Sequence, residues 1–196
     1  MRNKDEFKLA TIREKAIELI VEKGLDGFNM KDLAIASGIS ASTIYVYYKN
    51  KDDLLFQVCL WIRIKTLTFS VKGLRPGMNL EEGLHLQWKN RFKHFIDYPL
   101  EVQANAQLKY TPQYHRTTPL VTEAIGPQLK GFMENAVNNK ELKIMPYELF
   151  WAIAFAPLYQ LIEFHLAGSS YTSSSFTVTD KLITTAVKMI AKALRE

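Results

Sequence analysis

A chain of 196 residues, 47% of them hydrophobic, is long and apolar enough for one large or two small domains with a sizeable core. Its 25 Lys or Arg against 20 Asp or Glu give a net charge of +5, which permits nucleic-acid binding without proving it. The single cysteine, Cys59, excludes an internal disulfide and a thiolate metal cluster. The opening MRNKDEFK carries no apolar signal segment, so the expected location is cytoplasmic.

In chain order, almost every segment reads as helix. Leu9, Ile12, Ala16, Leu19 and Ile20 fall on one helical face, and Gly24 ends that helix with Leu25 folding back. Asn29, Ser40 and Asn50 each stand where a short helix starts, with Asp32, Thr43 and Asp53 three residues on. Between the first two starts lies Ser37-Gly38-Ile39, a sharp turn. Leu33, Ile39, Ile44 and Leu54 supply the apolar contacts. This is the layout of a helix-turn-helix; a helical hairpin with no DNA role has the same spacing.

A longer helix is expected from about Lys51 to Lys72, ended by Gly73 and Pro76-Gly77. Further helices are expected over about 80–98, 100–110 and from Pro119 to Asn138, the last stepped at Gly126-Pro127, with a left-handed stop at Asn138-Asn139. Pro146 opens an apolar helix to about Ala167, in which Pro157 is expected to make a kink. Its longest apolar stretch, Leu149 to Ile162, falls short of the ~20 residues of a membrane span and carries Gln160, so no membrane role is expected. After the polar loop 168–176, Thr177 with Asp180 marks the start of a last helix. The expected fold is all-α, about nine helices: a helix-turn-helix domain over 1–52 and a helical ligand-binding and dimerisation domain over 53–196.

With the second motif helix starting at Ala41, its first turns present Ala41, Ser42, Thr43, Val46 and Tyr47 outward, Ile44 inward. Small residues allow close approach, and apolar ones suit thymine methyls. Of Tyr45, Tyr47 and Tyr48, helical spacing sends one into the core and leaves the others for phosphates. Lys49 and Lys51, at the next helix start, and Lys31, near the first, are placed to hold phosphates beside backbone N–H groups. Singly, each tyrosine reads better as packing and each lysine as solvated; together, on a capped helix-turn-helix, they favour DNA. Residues 1–51 hold nine Lys or Arg against seven Asp or Glu, so binding must depend on where charges point.

The run GISASTIYVYYKNKDDLL resembles the signature of the TetR (tetracycline-repressor-like) family. Gly38, Ile39, Ser40, Thr43, Ile44, Tyr45, Tyr47, Lys51 and Leu54 match its pattern; Tyr48 stands where Phe is usual, and Ser37 where Ala is usual in the preceding LAIASG. The resemblance implies DNA contacts by Lys31, Thr43, Tyr47 and Lys51, base-edge contacts by Ala41, Ser42 and Val46, and Tyr45 partly packed within reach of a phosphate. It further implies a homodimer on a palindromic double-stranded operator, most often a repressor, with a small-molecule inducer not identified by the sequence. With no Arg, Gln or Asn in the reading turns, methyl contacts, tyrosine hydroxyls and DNA shape are expected to carry specificity.

In the C-terminal body, Trp88, Phe92 and Phe95 share a helical face, as do Trp151, Phe155 and Tyr159. Such stripes ordinarily mean core. The polar His85, Gln103, Gln107, Gln160 and Glu163 in the same helices suit a ligand cavity. The candidate ligand residues are Trp88, Phe92, Phe95, Gln103, Gln107, Trp151, Phe155 and Tyr159, and few acids among them means a cation is not favoured over a neutral or anionic hydrophobic ligand. Leu158, Leu161, Ile162, Ile183, Val187 and Ile190 on the last two helices are candidates for a four-helix dimer interface, or equally for an internal core. His85, His94, His115 and His165 lack metal-site spacing, and neither a phosphate loop nor a nucleophile elbow is present. An enzyme, a cofactor and a metal site are therefore not expected. The remaining alternative is a ligand-binding or protein-interaction module whose helix-turn-helix no longer binds DNA.

Overall fold

A computed structural model describes residues 2–195, with side chains from Asp5 onward. Among the described residues there are nine helices: α1 Arg2–Gly27, α2 Met30–Ser37, α3 Ala41–Tyr47, α4 Lys51–Ser70, α5 Leu80–Asp97, α6 Pro99–Leu108, α7 Pro112–Asn138, α8 Tyr147–Ala167 and α9 Asp180–Leu194. The all-α expectation therefore holds. The chain forms two compact units, residues 1–65 with 98–124 and residues 66–97 with 125–196. This packing does not divide at residue 52: most of α4, all of α6 and the first half of α7 group with the helix-turn-helix.

In the first unit, α1 lies along α6. Ile12, Ala16 and Ile20 from α1, Leu33 from α2, Ile44 from α3, Leu54 and Ile62 from α4, and Ala104 and Leu108 from α6 form one core. Fully burying an aliphatic side chain of this size is worth ~1.5–3 kcal/mol, so this shared core sets the positions of the short α2 and α3, which are too short to persist alone. Arg63 of α4 lies over the Tyr114 ring at 3.8 Å and donates to the Tyr114 carbonyl at 2.7 Å. Arg116 of α7 pairs with Asp52 at 2.9 Å. Cys59 is buried among these helices, and burial pushes its thiol above the usual range; it is a packing residue, not a reactive one.

In the second unit, α5 packs against both α8 and α9. Asn79 and Glu82 cap α5 reciprocally: Asn79 Oδ1 accepts from the Glu82 N–H at 2.9 Å, and Glu82 Oε2 from the Asn79 N–H at 3.3 Å. Leu84 and Trp88 of α5, Phe132 of α7, Ala154, Leu158 and Ile162 of α8, and Ile183 and Val187 of α9 are buried together. Gly83 is a forced choice, because a Cβ there would lie 2.2 Å from the buried Phe132 ring. The α8 helix is, among the described residues, the one helix long and apolar enough to cross a membrane by length and composition, longer than the stretch counted in the sequence. Its Phe150, Ala154, Phe155, Leu158 and Ile162 face packs in this core, while its other face carries exposed Glu148, Gln160 and Glu163 beside exposed Leu149, Trp151 and Leu166.

Three expected boundaries move. α7 starts at Pro112, not after Pro119, and runs through both Pro119 and Pro127. Thr111 starts it: its hydroxyl accepts from the Tyr114 N–H at 3.3 Å, and Pro112 occupies a first-turn position that needs no N–H. The left-handed stop after α7 falls at Lys140, with φ 58°, rather than at the asparagines. α9 is capped by Thr179, whose hydroxyl accepts from the Leu182 N–H at 3.2 Å, rather than by Thr177.

Candidate nucleic-acid interface

The helix-turn-helix forms by the local chemistry expected. Asn29 Oδ1 accepts from the Asp32 N–H at 2.9 Å. Gly38 closes α2 in the left-handed region at φ 65°, ψ 20°, where a side chain is strained. Ser37 secures the turn from both sides, its hydroxyl donating to the Leu33 carbonyl at 2.7 Å and accepting from the Ile39 N–H at 3.3 Å. Ser40 Oγ accepts from the Thr43 N–H at 3.2 Å, and Asn50 Oδ1 from the Asp53 N–H at 2.9 Å.

On α3, Ile44 is fully buried and Thr43 half-buried, while Ala41, Ser42, Tyr45 and Val46 are exposed. Val46 is 78% exposed, a value that an aliphatic side chain reaches only where nothing in its own subunit covers it. The hydroxyls of Ser42 and Thr43 lie 3.0 and 2.8 Å from Ser40 Oγ, so the first turn presents a hydroxyl cluster with apolar groups beside it. Among the three phenols, Tyr48 is the packed one; burial raises its pKa. Tyr45 is exposed.

The phosphate-holding candidates differ from one another. Lys31 and Lys49 are exposed. Lys51 is half-buried and turned inward: its Nζ donates to the Leu25 carbonyl at 2.8 Å and to the Phe28 carbonyl at 2.6 Å, tying α4 to the end of α1. The backbone donors expected to await a phosphate there are partly used, since the Lys49 N–H donates to Asp53 Oδ2 at 2.8 Å. Tyr47 is half-buried, and its hydroxyl donates to Asp5 Oδ1 at 2.9 Å, which raises the phenol's pKa. Asp5 was invisible to motif reasoning because it lies a whole helix away. Ile35, 72% exposed on α2, was also missed, although its place between inward Leu33 and Ser37 put it on the outer face.

The second candidate site is in the other unit. Trp88 Nε1 donates to the Ala154 carbonyl at 2.8 Å. Phe95 lies 5.2 Å from Tyr159, Trp151 stacks on Tyr159 at 5.7 Å and contacts Phe155 at 6.2 Å, and Phe92 meets His165 at 5.1 Å. The two aromatic stripes thus face each other. Gln103 and Gln107 do not belong to this cluster: they lie on α6 in the first unit, and Gln103 is exposed. Arg91 and Gln87, both buried here, replace them as its polar members. Arg91 sits three residues after Trp88, inside an apolar stripe, and that was the signal available.

The expected dimer residues lie mostly inside the subunit. Leu158, Ile162, Ile183, Val187 and Ile190 are buried in the subunit's own core, and Leu161 packs partly against it. The large apolar side chains of α8 and α9 that remain exposed are Tyr147, Leu149, Trp151, Leu166 and Met189, with Ala152 and Ala156 among them.

Residues 12–58 match the family described as "Bacterial regulatory proteins, tetR family". The chain is 24% identical over 142 residues, 69% of its length and 47% of the other's, to the uncharacterized HTH-type transcriptional regulator YuxN of Bacillus subtilis (strain 168). It spans about half the length of the curated relatives it matches. Its fold is that of a TetR family transcription regulator from Marinobacter aquaeolei VT8, at TM-score 0.85, 22% identity and full coverage of both chains. It is also that of the transcriptional regulator FadR from Bacillus subtilis in complex with stearoyl-CoA, at TM-score 0.69 and 15% identity over 96% of this chain and 98% of that one.

Proposed function

We propose, from the match of residues 12–58 to the TetR family and the surface those residues present, that this chain is a cytoplasmic, homodimeric, sequence-specific DNA-binding transcriptional regulator. The observation that carries the reading is α3 itself: a capped helix with its anchor Ile44 buried and Ala41, Ser42, Tyr45 and Val46 exposed. In the major groove such a surface meets thymine methyls and leaves hydroxyls for bases or phosphates. Lys31, Lys49, the hydroxyls of Tyr45 and Tyr47, and the spare donor of Lys51 are the proposed phosphate contacts, with Thr43 at the groove edge.

Two copies pair through the faces of α8 and α9 that stay uncovered, around Leu149, Ala152, Ala156 and Met189, and so hold two reading heads on a palindrome. A small hydrophobic ligand in the aromatic cluster of the second unit releases the DNA, as a repressor would require. FadR, with its stearoyl-CoA, supports a ligand of that general kind. Release requires the ligand to bind the DNA-free arrangement more tightly, since equal binding shifts nothing.

Val46→Glu tests the reading. The side chain is exposed, so the variant folds and dimerises as the parent does. It places a carboxylate against DNA, and the expected result is loss of binding to a duplex site that the parent binds. Retained binding counts against α3 as the reading helix.

A further inference from the structure

We propose that the second unit holds a receptor for an apolar monoanion, a carboxylate on a hydrophobic body, centred on Arg91. The inference rests on the reading of the aromatic cluster as the ligand site and gives that ligand its chemistry.

Arg91 is 4% exposed and lies on α5 between Trp88 and Phe95. Its Nη1 donates to the Tyr159 hydroxyl at 2.9 Å, and its guanidinium sits over the Phe155 ring at 4.4 Å. No ion pair among the described residues includes it. Its buried Nε has no acceptor, and one turn earlier Gln87, 1% exposed, has a buried Oε1 with no partner. A guanidinium keeps its charge in a protein interior, and burying one without a counter-charge is costly. A phenol and a ring offset only part of that cost. An aliphatic residue would fill the place at lower free energy, so the core alone does not explain this arginine.

The geometry specifies what completes it. Tyr159 occupies Nη1, which leaves the Nε–Nη2 edge, the edge whose two parallel donors match a carboxylate. One guanidinium balances one negative charge. A cation is repelled, and a neutral ligand can accept from Nε but leaves the guanidinium charge unbalanced. The body of the ligand lies against Phe155, Tyr159 and Trp151, and Trp151, with 36% of its area exposed, brings this cluster to the surface.

The test compares 2-naphthoate with its neutral analogue 2-naphthalenemethanol by calorimetry on the full chain without DNA, using the parent, Arg91→Gln and Arg91→Met. The parent should bind naphthoate at least about tenfold more tightly than the alcohol, as a hydrogen bond to a charged group requires. In either variant the ratio should fall to about one. The inference is overturned if the alcohol binds as tightly to the parent, if naphthoate does not bind, or if the preference survives both substitutions. The comparison on the parent decides even if neither variant folds. Because DNA is absent, failure here leaves DNA recognition standing; discrimination without any DNA binding would keep the anion site and sink the regulator reading.

Discussion

The Tyr47 hydroxyl, at the end of the proposed reading helix, donates to the Asp5 carboxylate near the start of α1 at 2.9 Å. A phosphate approaching Tyr47 must compete with that carboxylate for one proton and lies near its negative charge. Asp5→Asn therefore strengthens DNA binding by about two- to tenfold, the range of one modest hydrogen bond. Fluorescence anisotropy on a selected duplex measures it. In a Tyr47→Phe background the gain should shrink, because there is no hydroxyl left to release. The raised pKa of Tyr47 means this contact stabilises the fold below the ordinary phenol pKa and is lost only as pH rises through the higher folded value.

The lysines separate by task. Lys31→Ala and Lys49→Ala remove exposed charges, so each should leave thermal stability unchanged. Each should reduce the slope of log K against log salt by ~0.9 per neutralised phosphate. Lys51→Met instead removes two bonds from an ammonium to carbonyls at the end of α1, and should cost about 1.5–3 kcal/mol in chemical denaturation.

Gly83→Ala drives a methyl into the Phe132 ring, which is 1% exposed and cannot swing to solvent. Overpacking of this kind costs ~1–3 kcal/mol. Differential scanning calorimetry should show a lower midpoint, with partial recovery on adding Phe132→Leu.

The Arg116 guanidinium, and then the Gln113 amide, hold the Asp52 carboxyl below its ordinary range. A depressed carboxylate pKa adds stability above the unfolded value, and that stability is lost as pH falls through the folded value. Asp52→Asn should thus be slightly less stable than the parent at neutral pH. The gap should begin to narrow as pH falls through about 4, where the unfolded carboxyl protonates, and close only once pH lies below the depressed folded value. The pair is exposed, so the effect is small and fades in high salt.

The helix-turn-helix was legible because its determinants are local. Asn29, Ser40 and Asn50 cap helices that start within three residues of them, and Gly38 turns where only glycine is unstrained. What escaped was decided at a distance. Asp5 meets Tyr47 through the packing of α1. The inward turn of Lys51 depends on where the carbonyls of Leu25 and Phe28 end. Leu158, Ile183 and Val187 have the periodicity of a buried face, but periodicity does not say whether the covering surface belongs to the same subunit. Thr111-Pro112 and Pro119 both carry the pattern of a helix start, and only the packing of α7 decides for the first and admits Pro119 to the interior.

The central claim is that two copies of α3 read a two-fold site on DNA, and selection of binding sites from random duplexes with the purified full chain tests it most directly. The account predicts an enriched palindrome with half-site centres about 34–36 Å apart or a multiple of that spacing, its thymines clustered where Val46 and Ala41 lie. A pool that shows no enrichment after repeated rounds contradicts it.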